Sequence, residues 1–74
     1  MVNYKHELLK YFIKQNTENI AFLAQANGVF QRIKEHATEQ TILDHCTIIL
    51  YENQRQIDTL WREIDGYRSE ISGV

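Results

Sequence analysis

Residues 20–37 read IAFLAQANGVFQRIKEHA, with Asn27-Gly28 near the centre. Asn-Gly is a strong turn signal, yet apolar residues run past it at helical spacing. A turn there breaks the first half of the chain into two short helices. A helix running through it leaves two long helices and puts the protein's work on their faces. Phase decides between these. At about 100° per residue, Leu23 lies near 140° on the wheel, Ala26 near 80°, Phe30 near 120° and Ile33 near 60°. The apolar groups before and after Gly28 therefore share one face, whereas a break shifts the phase. A glycine inside a helix costs only about 1 kcal/mol relative to alanine. The stretch reads as continuous helix, with Gly28 facing away from the seam and Asn27 nearer to it, opposite roughly residues 49 to 52.

The second half carries the clearer pattern. Leu43, Leu50, Ile57, Ile64 and Ile71 recur at intervals of seven, and Cys46, Asn53, Leu60 and Tyr67 follow the first four by three residues. This is an a/d heptad seam, as in a coiled coil or helical bundle. Ile42, Ile49 and Trp61 flank it. Thr41-Ile42-Leu43-Asp44 resembles a capping box, with the threonine oxygen accepting from a free amide and Asp44 reaching back. Thr38 is the alternative cap, and Ser72-Gly73 is the expected stop. The first half is apolar over a broader arc. Leu9, Ile13, Ile20, Leu23 and Phe30 follow three-four spacing, Leu8, Phe12, Ala26 and Ile33 widen the face, and Tyr4, Tyr11, Phe22 and Val29 extend it. An ordinary surface helix shows a stripe of about 100° or somewhat more. One antiparallel partner cannot cover the wider arc seen here, so a second copy or another protein is expected to pack on it.

The fold expected is all-α: one antiparallel two-helix hairpin over residues 1–74, coiled-coil-like. The helices run over about 3–36 and 39–71, joined by a turn at about 36–40. It is expected to dimerise into a four-helix bundle or to dock on a partner. The chain has no proline to impose breaks. At 74 residues it is small for a generous core, and its single cysteine, Cys46, forms no redox pair. MVNYKHELLK does not read as a signal peptide, because Lys5, His6, Glu7 and Lys10 interrupt any apolar stretch. No apolar run approaches the roughly 20 residues of a membrane helix. A cytoplasmic location follows as an expectation.

Eight Lys and Arg against ten Asp and Glu give a net charge of −2. That weighs against nucleic acid, whose binding rests largely on basic surface. Two resemblances bear on function. LAQANGV resembles the first helix and turn of helix-turn-helix DNA readers, with Ala24 four residues before Gly28 and Leu23 and Val29 in their slots. Four features depart from that family: Asn27 in a usually apolar slot, Phe30 in place of a polar cap, Lys34 in a usually buried slot, and Ile33 one residue early. The likeness is judged coincidental, and a nucleic-acid-binding regulator, including a dimeric RNA-binding hairpin with a basic edge at Lys5, Lys10, Lys14 and Arg32, is the alternative. In size, hairpin plan and absence of proline, the chain resembles the small co-chaperones of type III secretion, which help hold the needle subunit before export. That architectural resemblance implies a partner helix laid across an open apolar face.

Catalytic chemistry finds no constellation. Asp44-His45 and His6-Glu7 are side-by-side pairs, and there is no glycine-rich phosphate loop. No cofactor is expected. His36, His45 and Cys46 gather near the turn, but His45 and Cys46 are adjacent on a helix and point about 100° apart, so no metal site is assigned. Cys46 instead reads as a small apolar filler of the seam. Asn16, Asn27 and Asn53 fall on the seam, and Asn27 and Asn53 are expected within reach of each other, fixing helix register. Asp58 and Arg62 read as an exposed ion pair worth a few tenths of a kcal/mol. The expected partner or self interface comprises Leu9, Phe12, Ile13, Ile20, Phe22, Leu23, Val29, Phe30, Ile33, Ile49, Ile57, Leu60, Trp61, Ile64 and Tyr67. Tyr4, Tyr11 and Tyr51 complete the aromatic set that can anchor a partner. The reading is a non-enzymatic interaction module, an adaptor or co-chaperone, whose partner is a protein or a second copy, with no small-molecule substrate.

Overall fold

A computed structural model describes residues 3–73. They form two helices, α1 (Tyr4–His36) and α2 (Gln40–Ile71), which pack against each other as a hairpin. The helix boundaries expected from heptad phase and turn signals agree with these to within a residue. α1 runs unbroken through Asn27-Gly28, and the residues there keep right-handed backbone geometry. Isolated Asn-Gly is a turn signal because it tolerates left-handed backbone. Here long-range packing of the flanking apolar residues outweighs that local preference.

The helix ends are built by different means. Asn3 caps α1, its side-chain oxygen accepting from the His6 amide at 3.2 Å. Ala37 closes α1, its amide donating to the Ile33 carbonyl at 2.8 Å. Ala37, Thr38 and Glu39 make the connection, with extended backbone at Ala37 and Glu39. The cap of α2 differs from the expectation. Neither Thr41 nor Thr38 caps it: Glu39 occupies the cap position and makes no side-chain cap bond. Asp44 accepts from the Gln40 side-chain amide at 2.8 Å and does not reach back to a cap. The helix begins before Thr41, which lies inside the first turn, and Gln40 costs little there because it is a good helix former. At the far end, Ser72 and Gly73 stop the helix as expected. Gly73 adopts φ 74°, and the Ser72 amide donates to the Arg68 carbonyl at 3.0 Å.

The seam follows the heptads. The shielded positions of α2 are Leu43, Cys46, Leu50, Asn53, Ile57, Leu60, Ile64, Tyr67 and Ile71, with Ile49 beside them. On α1 they are His6, Leu9, Ile13, Asn16, Ile20, Leu23, Asn27 and Phe30, flanked by Gln15 and Ala26. Both sets repeat at three-four spacing, so each helix presents a coiled-coil edge to the other. The Asn53 side-chain amide donates to the Asn27 side-chain oxygen at 3.0 Å. This sets the register one residue beyond the 49–52 window expected. Stepping by heptads from that pair in an antiparallel arrangement places Ile20 level with Leu60, Ile13 with Tyr67, Leu23 with Ile57 and Asn16 with Ile64. Nearby, the Asn16 side-chain amide donates to the Leu60 carbonyl at 3.5 Å.

The core is thin. Among the described residues Leu9, Cys46, Ile57, Leu60 and Ile64 are buried, and of these Ile64 alone reaches 0% exposure. The molecule measures 60 × 17 × 12 Å. The smallest dimension matches the roughly 10–12 Å diameter of a single helix, so both broad faces of the hairpin lie open.

Candidate interaction surface

The residues expected to form the interface divide into two groups. Leu9, Ile13, Ile20, Leu23, Phe30, Ile49, Ile57, Leu60, Ile64 and Tyr67 are buried or half-buried along the hairpin seam. Phe22, Val29, Ile33 and Trp61 stand outside it, exposed, and Phe12 lies at the border. Phe12 packs its ring 5.5 Å from that of Tyr67 across the hairpin and 6.1 Å from that of Tyr11 along α1. Tyr4, Tyr11 and Tyr51 are exposed.

Placing the α1 seam residues at heptad positions a and d sorts the exposed group. His6, Ile13, Ile20 and Asn27 occupy a, and Leu9, Asn16, Leu23 and Phe30 occupy d. Positions c and g then lie beside each other, about 110° round from the centre of that seam. They hold Leu8, Phe12, Gln15, Asn19, Phe22, Ala26, Val29 and Ile33, a second three-four stripe on the same helix. Six of the eight are apolar, and the two polar ones sit together in its first half. α2 covers the first stripe and only borders the second, where Gln15 and Ala26 are half-buried while Phe22 is 70% exposed and Leu8 53%. Ile42, a g position of α2, widens the stripe beside Ile33 at the turn end and is also exposed. The opposite flank of α1, positions e and b, is polar or small: Lys10, Thr17, Ala24 and Gln31, with Glu7, Lys14, Ala21, Gly28 and Glu35.

This second stripe explains the unusual width of the apolar arc. Its signal is present in the sequence, but apolar residues at a, d, c and g merge into one broad band until the a/d edge is subtracted. Subtraction requires the full a/d set, in which Asn16 and Asn27 were read from the sequence and His6 was not. A polar residue such as His6 hides its place in the repeat from an apolar count.

Other expected features fall apart or change form. Arg62 makes no ion pair with Asp58: its guanidinium Nε donates to the Asp58 main-chain carbonyl at 3.4 Å, and the Asp58 carboxylate accepts from Gln54 at 3.0 Å. The ion pair among the described residues is Lys10 with Glu7, 3.7 Å apart and well exposed, of the kind worth at most a few tenths of a kcal/mol. Lys5, Lys10, Lys14 and Arg32 do not form an edge. They sit at four different heptad positions, and Arg32 lies roughly 40 Å along the helix from Lys5 at 1.5 Å per residue. The helix-turn-helix geometry is absent, because residues 23–36 are one helix. Cys46 is buried in the seam while His45 beside it is exposed and His36 ends α1. Among the described residues no helix is long and apolar enough to cross a membrane.

No protein-family model, no curated protein and no solved structure matches this chain.

Proposed function

We propose that the protein is a non-enzymatic helical-hairpin interaction module, an adaptor or co-chaperone in kind, that works by laying the outer stripe of α1 against another helix. The observation that carries this is the stripe itself. Six apolar side chains repeat at coiled-coil spacing over 26 residues, on the apolar one of the two flanks of α1 that lie beside the seam. Scattered exposed apolar residues are ordinary on any protein surface. A heptad-spaced row of them has the form of a helix-binding edge, in which each apolar knob is spaced for a hole in a facing helix. The polar e and b flank marks the direction that stays in water.

The test is a pair of matched substitutions. Phe22→Glu puts a charge in the middle of the stripe, and Ile48→Glu puts one on the outer surface of α2, where Ile48 is 53% exposed. Association is read as the mass of the purified chain and as partners retained from the native source. Phe22→Glu is expected to abolish whichever association exists, and Ile48→Glu to leave it intact. If no association of either kind depends on Phe22, the stripe is not the working surface.

A further inference from the structure

Resting on that reading, we infer that the occupant of the stripe is a second copy of this chain, antiparallel, with α1 against α1 about a two-fold axis midway between Ile20 and Ala21. Area supplies the first argument. The chain exposes 5810 Å², whereas a compact monomer of 8.8 kDa exposes about 4,800 Å². The excess of roughly 1,000 Å² per chain is what a stable interface needs, since standard interfaces bury about 800 Å² per partner.

The order of residues along the stripe supplies the second. It starts at Leu8 and ends at Ile33, with Lys5 and His36 at the next positions in each direction. Its midpoint therefore falls between Ile20 and Ala21. Reversing it about that point sets Leu8 opposite Ile33 of the second copy and Phe12 opposite Val29. Each apolar arm meets the other arm. Gln15 meets Ala26, whose small side chain leaves room for the amide to reach water at the rim. Asn19 meets Phe22 beside the axis, where it also lies within one turn of Asn19 of the other copy. A parallel pairing instead stacks Phe12 on Phe12 and Phe22 on Phe22, and aligns two helix dipoles that the antiparallel arrangement opposes. An isologous interface must be complementary to itself under reversal, and the apolar arms of this stripe are, Leu8 meeting Ile33 and Phe12 meeting Val29. The two α2 helices then flank the central α1 pair in a four-helix arrangement, with Ile42 and Ile49 of each copy extending the buried surface at its two ends.

The experiment uses the full chain. Sedimentation equilibrium at tens of micromolar is expected to give close to twice the 8.8 kDa chain mass. Phe22→Glu is expected to return it to the chain mass, and Ile48→Glu to leave it doubled. Direction is read separately, in a Cys46→Ala background, by mixing the single variants Leu8→Cys and Ile33→Cys under mild oxidation. The antiparallel interface yields the mixed disulfide in excess over either homodimer. Should Phe22→Glu unfold the chain, the cross-linking result stands by itself. A folded wild-type monomer at these concentrations overturns the self-pairing. So does a dimer indifferent to Phe22→Glu, and predominance of Leu8→Cys homodimers overturns the antiparallel direction. A monomer that still retains a partner through Phe22 refutes only the second copy and leaves the interaction module standing. Loss of both refutes the module as well.

Discussion

Gly28 and its neighbour Asn27 sit on adjacent residues with opposite duties. Gly28 is exposed in the interior of α1, and a Cβ added there meets nothing within 4 Å. Its backbone is right-handed, so alanine fits without strain and removes conformational freedom from the unfolded chain. Gly28→Ala is expected to stabilise the protein by about 0.5–1 kcal/mol, read from urea or thermal unfolding. A marked destabilisation would falsify the continuous helix. Asn27 is half-buried, and its side-chain oxygen Oδ1 accepts from the Asn53 side-chain amide across the seam. Removing one partner leaves a polar group partly desolvated and unpaired, which costs about 1–3 kcal/mol. We predict that Asn27→Ala and Asn53→Ala each destabilise, and that the double variant loses less than their sum. A coupling energy near zero in that cycle would remove the bond from any role in register. Replacing both by leucine is expected to raise stability while broadening the set of helix registers, the usual trade for a polar pair at a seam.

Elements show where local sequence signals were followed and where packing replaced them. α1 starts at a residue suited to capping, Asn3, and α2 stops at a glycine with positive φ, Gly73. α2 starts without a side-chain cap because the three-residue connection places Glu39 there. A shorter acidic or hydroxyl side chain at that position can accept from the free amides of the first turn. Glu39→Asp and Glu39→Ser are therefore expected to stabilise by about 0.5–1 kcal/mol in denaturant unfolding, while substitutions at Thr41 lack that effect. The heptads of α2 were legible throughout, because its seam is apolar except at Asn53. Those of α1 were half legible: Leu9, Ile13, Ile20, Leu23 and Phe30 mark them, while His6, Asn16 and Asn27 interrupt them, and the second stripe fills the gaps with apolar residues from another face.

At the scale of the whole molecule, an 8.8 kDa chain holds five buried apolar residues among those described and spreads over 60 Å. Its Cα radius of gyration is 16.9 Å, against about 11 Å for a compact chain of this length. A core this thin leaves a small share of the conformational entropy offset within one copy. If the outer stripe is covered by a second copy, folding and association are linked. The unfolding midpoint is then expected to rise with protein concentration, each tenfold increase adding about 1.4 kcal/mol to the apparent stability per dimer. A midpoint unchanged over two decades of concentration sinks that linkage.

The sequence by itself determined the two helices, their ends to within a residue, and the continuity of α1 through Asn27-Gly28, since period and phase are properties of one chain read locally. It also determined that α1 carries more apolar surface than one neighbour can cover. Only the tertiary structure decided which apolar residues are spent on the hairpin and which are left over. That division depends on the register at which α2 docks, fixed where Asn27 meets Asn53. Register is a relation between distant segments, and residues that share a broad face in sequence are separated only when the partner helix occupies one side of it.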